Sequence, residues 1–239
     1  VKPSIRQKTY DSYEGITRVH LIPRFGHIKL NRLTTEHVNK VWAEMLEQGH
    51  SPALIWHCHV RFNNALNYAQ LRRYIVANPL QFVTKPKVEV KERLTLTVEE
   101  MDRVLALSKD VKKYRDYHSI ILTAFHTGMR RNELLGLRWK DIDEDMAILY
   151  LSRSIYRAKG GVTETHPTKT KSGARSVDLP PDLAIHLREQ RAVQEKNAKY
   201  FRYTVTEESP VFIRRTGEPL LPAAVTHVFK RIARKLGFD

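Results

Sequence analysis

Arg130 and Glu133 stand three residues apart within residues 123–138, TAFHTGMRRNELLGLR, a stretch that otherwise reads as protein interior. Taken as a helix over 130–138, opened by the Thr127-Gly128 turn, the segment puts Arg130, Glu133, Leu134 and Leu137 on one face. Arg131 falls about 100° further round. A guanidinium on a leucine-bearing face is costly unless an anion answers it. Glu133 can orient the group, and an external anion can then take the remaining donors. Phosphate fits, because the arginine fork donates two parallel hydrogen bonds and stays charged. The same spacing also describes an Arg–Glu pair that only staples the helix. The motif alone leaves both readings open.

Other polar groups recur at useful spacings. The segment HPTKTKSGARSV puts Lys169 and Lys171 in a lysine-rich turn between short strand-like runs, where lysines ordinarily stay solvated. On a helix predicted over residues 51–75, His57, Arg61, Asn64, Tyr68 and Arg72 line one side. That side is polar, partly basic and aromatic, able to meet phosphates and base edges or simply to stay wet. Lys85, Lys87 and Lys91 add positive charge just downstream. His57 and His59 lie about 200° apart on such a helix and cannot share an ion, so no metal site is expected. Cys58 belongs to the apolar stripe.

Two sets of elements must position these groups. Residues 9–78 read as all-helical. Val38, Val41, Trp42, Met45 and Leu46 form one helical face, with Thr34 as cap, Glu36 in the first turn and Gly49 at the end. The longer helix has Ser51 as cap and Pro52 as its first residue, with Leu54, Cys58, Phe62, Ala65 and Ala69 as its apolar stripe. A lysine- and valine-rich joint containing Pro86 follows. Thr97-Val98-Glu99-Glu100 is a capping box, flanked by Leu96 and Met101 as a hydrophobic staple. Helices then run to about residue 138, followed by short strands, a helix beginning near residue 182, a strand and turn, and a last helix. The expected division is a helical domain over 1–83, a linker over 84–95 and a mixed domain over 96–239.

The totals bound the function. The 239 residues carry 41 Lys plus Arg against 26 Asp plus Glu, a formal charge of +15. The surplus is spread along the chain, which points to a folded basic surface and a polyanionic partner, nucleic acid first. A 41% hydrophobic content supports packed cores, and no run approaches a membrane span. The first residues lack the apolar stretch of a signal peptide. A single cysteine excludes an internal disulfide and fits a reducing cytoplasm.

At this point a family resemblance emerges. TAFHTGMRRNELLGLRWKDID resembles the first signature segment of the tyrosine recombinases, the phage-integrase family, whose pattern is T-G-x-R-x-x-E-L followed by L-x-W-x-D-I. YEGITRVHLIPRFGHIKLNRLTTEHV and SPALIWHCHVRFNNALNYA are similar to the family's helical core-binding domain. VTETHPTKTKSGARSVDLPPDL is similar to its lysine-bearing β-hairpin, and PVFIRRTGEPLLPAAVTHVFKRIARKLGF to the segment before its second signature box. The resemblance covers residues 10–239 in family order.

The resemblance implies a mainly α fold with a small antiparallel β-sheet: a core-binding domain, then a mixed α+β catalytic domain truncated at its C-terminus. It makes Arg130 the first catalytic arginine and Glu133 its supporting acid. Lys169 becomes the general acid for the leaving 5′ oxygen, with Lys171 as the alternative; Arg131 falls on a variable position. The family's second box, His-x-x-Arg with its following tyrosine, has no counterpart in these 239 residues. The implied activity is site-specific DNA strand cleavage and rejoining through a 3′-phosphotyrosyl link, with no metal or other cofactor, by a tetramer on double-stranded DNA. The fragment itself is expected to bind DNA without cutting. The rival readings are a non-catalytic DNA-binding remnant and, on charge alone, an RNA-binding protein.

Overall fold

A computed structural model describes residues 5, 7–84, 87, 95–157, 163–167 and 175–238, with the backbone alone for 156, 157 and 163–167. The chain forms two compact units, residues 1–93 and 94–239. Among the described residues, no helix is long and apolar enough to cross a membrane.

The first unit is helical. Helix α1 (Gln7–Ile16) runs through a π turn (Thr17–Leu21) into the short α2 (Ile22–Phe25). Helix α3 (Thr35–Glu47) is capped by Thr34, whose hydroxyl accepts from the His37 amide. Helix α4 (Pro52–Leu71) is capped by Ser51, with proline in its first turn, where the missing N–H costs nothing. Val38, Trp42 and Met45 of α3 meet Ile55, Cys58 and Leu66 of α4, with Leu21 and Phe25 closing the core.

Two expected stripes are corrected. Leu46 is exposed, and so is Ala65, while Leu54 is only half-buried; Ile55 and Leu66 take the inward positions on α4. The partner elements, not the helix's own apolar count, select which phase is buried. Helix α4 also ends at Leu71 rather than near residue 75. Arg73 adopts a left-handed φ of 60°, and its amide donates to Gln70 O at 2.9 Å while the Tyr74 amide donates to Ala69 O at 2.8 Å. That pair of bonds closes a helix end in the manner usually given to glycine. Buried Asn78 then fastens the following segment to α4, donating Nδ2 to Asn63 at 2.8 Å and to Asn67 at 2.6 Å.

The second unit begins with α5 (Val98–Asp110), where Thr97 and Glu100 form the expected reciprocal capping box. Helix α6 (Arg115–Thr127) stops at Gly128, at φ 61°. Helix α7 (Arg131–Leu134) is a single turn. Strands β1 (Ile142–Asp143), β2 (Ile148–Leu151) and β5 (Arg175–Asp178) make an antiparallel sheet in the order β1-β2-β5. Strands β3 (Arg153–Arg157) and β4 (Thr163–Pro167) form a separate antiparallel pair. Helices α8 (Pro181–Phe201) and α9 (Pro222–Leu236) complete the unit. Its core gathers Val104, Ile120, Leu134, Leu149, Leu183, Leu187, Val211 and Ile232.

The helix expected over 130–138 is the main correction in this unit. Arg130 is extended, at φ −67° and ψ 143°, and only one turn follows it. The backbone then leaves the helix to pair elsewhere: the Trp139 amide donates to Ser209 O at 3.2 Å and the Val211 amide to Leu137 O at 3.0 Å. Gly136 makes the exit possible, since a Cβ there would lie 3.1 Å from Arg153 O. Asp141 stabilises the exit, accepting from the Arg138 amide at 2.8 Å and pairing with Arg153.

Candidate functional site

Glu133 is the hub of the site. Its carboxylate is buried, with 8% side-chain exposure, and it holds two arginines from different elements. Arg130 donates its amide to Oε2 at 3.0 Å and Nη1 to Oε1 at 3.0 Å. Arg175, at the start of β5, donates Nη2 to Oε2 at 3.1 Å and Nη1 to Oε1 at 3.4 Å. Burial works to raise the Glu133 pKa. The Arg175 hydrogen bonds and the Arg130 amide and guanidinium outweigh it, so the carboxyl lies below its ordinary value.

The expectation of a buried guanidinium is therefore reversed. The side chain of Arg130 is 78% exposed, and the buried partner is the acid. The reason is local: Arg130 is the extended residue that precedes the single turn of α7 and not part of a continuous helix, so its side chain lies on the solvent side of the buried carboxylate. Two guanidiniums on one carboxylate leave a net positive patch with free outer donors, a geometry suited to the two non-bridging oxygens of a phosphodiester.

Arg131 turns away from this pair. Its Nε donates to Asn132 Oδ1 at 3.2 Å and its Nη1 to Thr226 Oγ1, tying α7 to α9.

Arg175 lies in the segment HPTKTKSGARSV, downstream of both lysines, and the spacing of the motifs did not single it out. Its signal lay in strand alternation. Arg175 and Val177 share the half-buried face of β5, Ser176 and Asp178 the exposed one, so an arginine stood on an inward-leaning position. The pairing Leu151↔Arg175 sets the end of β5 opposite the end of β2. Lys169 and Lys171 lie outside the described residues, within the connection from β4 to β5.

In the first unit, His57, Asn64, Tyr68 and Arg72 are exposed. Arg72 is the C-cap of α4 and donates Nε to Tyr68 Oη at 3.1 Å. Arg61 departs from the expected open face: it is half-buried, with its guanidinium carbon 3.6 Å from the centre of the Tyr13 ring. Its Nε is buried without a hydrogen-bond partner among the described residues. Stacking on Tyr13 holds it against α1, leaving less of it available to a ligand. Lys87 is exposed; Lys85 and Lys91 lie outside the described residues. Cys58 is fully buried, and burial raises its thiol pKa. No group of three metal-ligating side chains occurs among the described residues.

Residues 95–239 match the phage integrase family, and residues 1–46 match the phage integrase N-terminal SAM-like domain. The chain belongs to the phage integrase family. Among relatives of this integrase-family chain, the tyrosine recombinase XerC-like protein of Caldanaerobacter subterraneus subsp. tengcongensis is 26% identical, over 99% of this chain and 64% of the relative. The integrase of Mycobacterium phage D29 is 26% identical, over 96% of this chain and 58% of its own length. The chain thus spans less than two thirds of either relative. The Tn1549 transposon integrase, solved in complex with a circular intermediate DNA, superposes with a TM-score of 0.83 at 21% identity, over 99% of this chain and 75% of that one. A lambda integrase dimer bound to a core site gives 0.71 at 18% identity, over 98% and 59%. These likenesses establish the fold: a mostly helical chain with a small antiparallel sheet, of the core-binding plus catalytic architecture.

Proposed function

We propose that this chain is the DNA-gripping and partly catalytic portion of a site-specific tyrosine recombinase from a phage or other mobile element, acting in the cytoplasm. The reading rests on one observation: exposed Arg130 and half-buried Arg175 are fastened to a single buried carboxylate, Glu133.

In this reading Arg130 binds a non-bridging oxygen of the scissile phosphate and stabilises charge that grows in the pentacovalent transition state. Glu133 and Arg175 are positioning residues. Lys169, with Lys171 as the alternative, donates a proton to the leaving 5′ oxygen. In the whole protein a tyrosine attacks the phosphodiester, forming a 3′-phosphotyrosyl bond and releasing the 5′ hydroxyl. No metal or cofactor takes part. The whole protein works as a homotetramer on paired double-stranded sites. His57, Asn64, Tyr68 and Arg72, with a smaller share from Arg61, contact DNA from the first unit, and Lys85, Lys87 and Lys91 add phosphate contacts. The proposed division is a core-binding domain over 1–83, a linker over 84–95 and a catalytic domain over 96–239.

The test is duplex binding by the 239-residue polypeptide, followed by fluorescence anisotropy across salt. Affinity is expected to fall steeply with salt, because released counterions drive phosphate contacts. Arg130→Ala should weaken binding to every sequence and lower the salt slope by about one. No tyrosine in these residues follows a His-x-x-Arg box, so no covalent adduct should form on a nicked duplex. Salt-independent binding, or an adduct trapped on the nicked duplex, contradicts the reading.

A further inference from the structure

The turn between α5 and α6, the C-terminal half of α8 and the turn at residues 214–218 enclose a cavity of about 560 Å³ in the second unit. Lys112, Lys113, Arg115, Arg214 and Arg215 open onto it against one carboxylate, Asp116. All five cations are exposed. Their protein partners are weak: Arg214 stands 3.6 Å from Glu218, and Arg115 donates to the carbonyls of Lys109 at 3.1 Å and Asp110 at 3.4 Å. Lys112 and Arg215 have no acidic partner among the described residues. Five like charges around one concavity repel, and a bound anion relieves them.

Hydrogen bonds and ring packing tie the walls together. Buried Gln194 accepts from Trp139 Nε1 at 2.6 Å and donates to Pro210 O at 3.1 Å, while Tyr203 Oη donates to Gln194 O at 3.0 Å. Gly217 has φ +89°, and a Cβ there would lie 2.7 Å from the Tyr203 ring, so the turn carrying Arg214 and Arg215 lies flat on that ring. Residues of the first turn of α6 line the same space, and Tyr114 gives that helix no side-chain cap. The positive end of a 13-residue helix therefore adds to the field.

We propose that this cavity is a second phosphate-binding site that takes a phosphate ester. It is separate from the Glu133 cluster: it sits at the start of α6, roughly 20 Å along the helix from the end that precedes Arg130. Its volume falls in the usual range for ligand pockets. Cations on two opposed turns can clamp one phosphate from both sides, and guanidinium forks fit its oxygens. The phosphate can come from a free nucleotide or from a nucleic-acid strand.

The experiment titrates inorganic pyrophosphate, ADP and a duplex oligonucleotide separately into the full 239-residue chain and two variants. One variant carries Lys112→Ala with Arg215→Ala, the other Arg130→Ala. Saturable pyrophosphate and ADP binding, weakened about tenfold or more in the paired variant and retained in Arg130→Ala, supports a free ester. Weakened duplex binding in the paired variant, with a salt slope lower by about one to two, supports a strand phosphate. Unchanged binding of all three probes in the paired variant overturns the proposal, as does pyrophosphate binding lost only with Arg130. Amide hydrogen exchange on the unsubstituted chain reads the same contrast without depending on how a variant folds. Pyrophosphate or duplex should protect residues 112–116 and 213–215; protection confined to residues 130–133 under both probes overturns the site.

Discussion

Arg175 reaches Glu133 across 42 residues of sequence, placing Nη2 3.1 Å from Oε2, on the carboxylate that Arg130 also holds. One buried acid thus joins the T-G-x-R turn to the strand that follows the lysine-rich connection. Glu133→Ala is expected to destabilise the chain by about 1.5–3 kcal/mol, the range for hydrogen bonds to charged groups, and toward its lower end because both guanidiniums touch water. The folded carboxyl has a depressed pKa, so its contribution is complete above the ordinary value of 4.5 and is lost as pH falls through the folded value. Urea unfolding of both chains at pH 7 and pH 3.5 checks this. The gap should shrink at the lower pH, and a constant gap would remove the charge-based account.

A second pH effect has the opposite chemistry. His118 Nδ1 and Ser108 Oγ lie 2.8 Å apart, His186 Nε2 and Ser119 Oγ 3.0 Å apart, and the two rings meet edge to face at 5.6 Å. Ser108 donates its proton to Leu105 O and Ser119 to Gln190 Oε1, so each imidazole is the donor to its serine. Burial lowers both pKa values; Lys109 acts in the same direction on both, His126 also on His186, and Glu189 opposes on His186. The unfolded chain then binds more protons below the ordinary value of 6.5, and stability should drop as pH falls past it. Melting curves at pH 7.5 and 5.5 should show a smaller drop for the double substitution His118→Asn, His186→Asn than for the parent.

Asp141 pairs with Arg153 where neither side chain is well hydrated, at 7% and 16% exposure. Asp141→Ala leaves the Arg153 guanidinium uncompensated and the Arg138 amide unpaired. A loss of about 3 kcal/mol is expected. Equilibrium unfolding that shifts by less than about 1 kcal/mol would show that water replaces the pair freely.

The two lysines can be told apart in a longer chain that carries the tyrosine box. If Lys169 is the general acid, Lys169→Ala should slow cleavage about 10²- to 10⁴-fold, and Lys171→Ala should have little effect. A substrate with sulfur in place of the bridging 5′ oxygen has a leaving group that needs no proton. It should restore cleavage to the variant that lacks the acid, whichever lysine that proves to be.

Local chemistry in the sequence was enough to place the helix starts at Thr34, Ser51 and Thr97, because a cap and its amide lie within three residues of each other. It was also enough to read a strongly basic chain, suited to a polyanion, and the order of the integrase motifs. The tertiary structure alone decided which phase of α4 is buried, that Arg73 ends it, that Arg61 lies on Tyr13, and that the chain leaves the helix after Leu134. It alone brought Arg175 to Glu133. Those outcomes depend on groups tens of residues apart, set by strand register and by competition between packing partners; alternation can lean Arg175 inward, but it cannot name the partner that Arg175 meets.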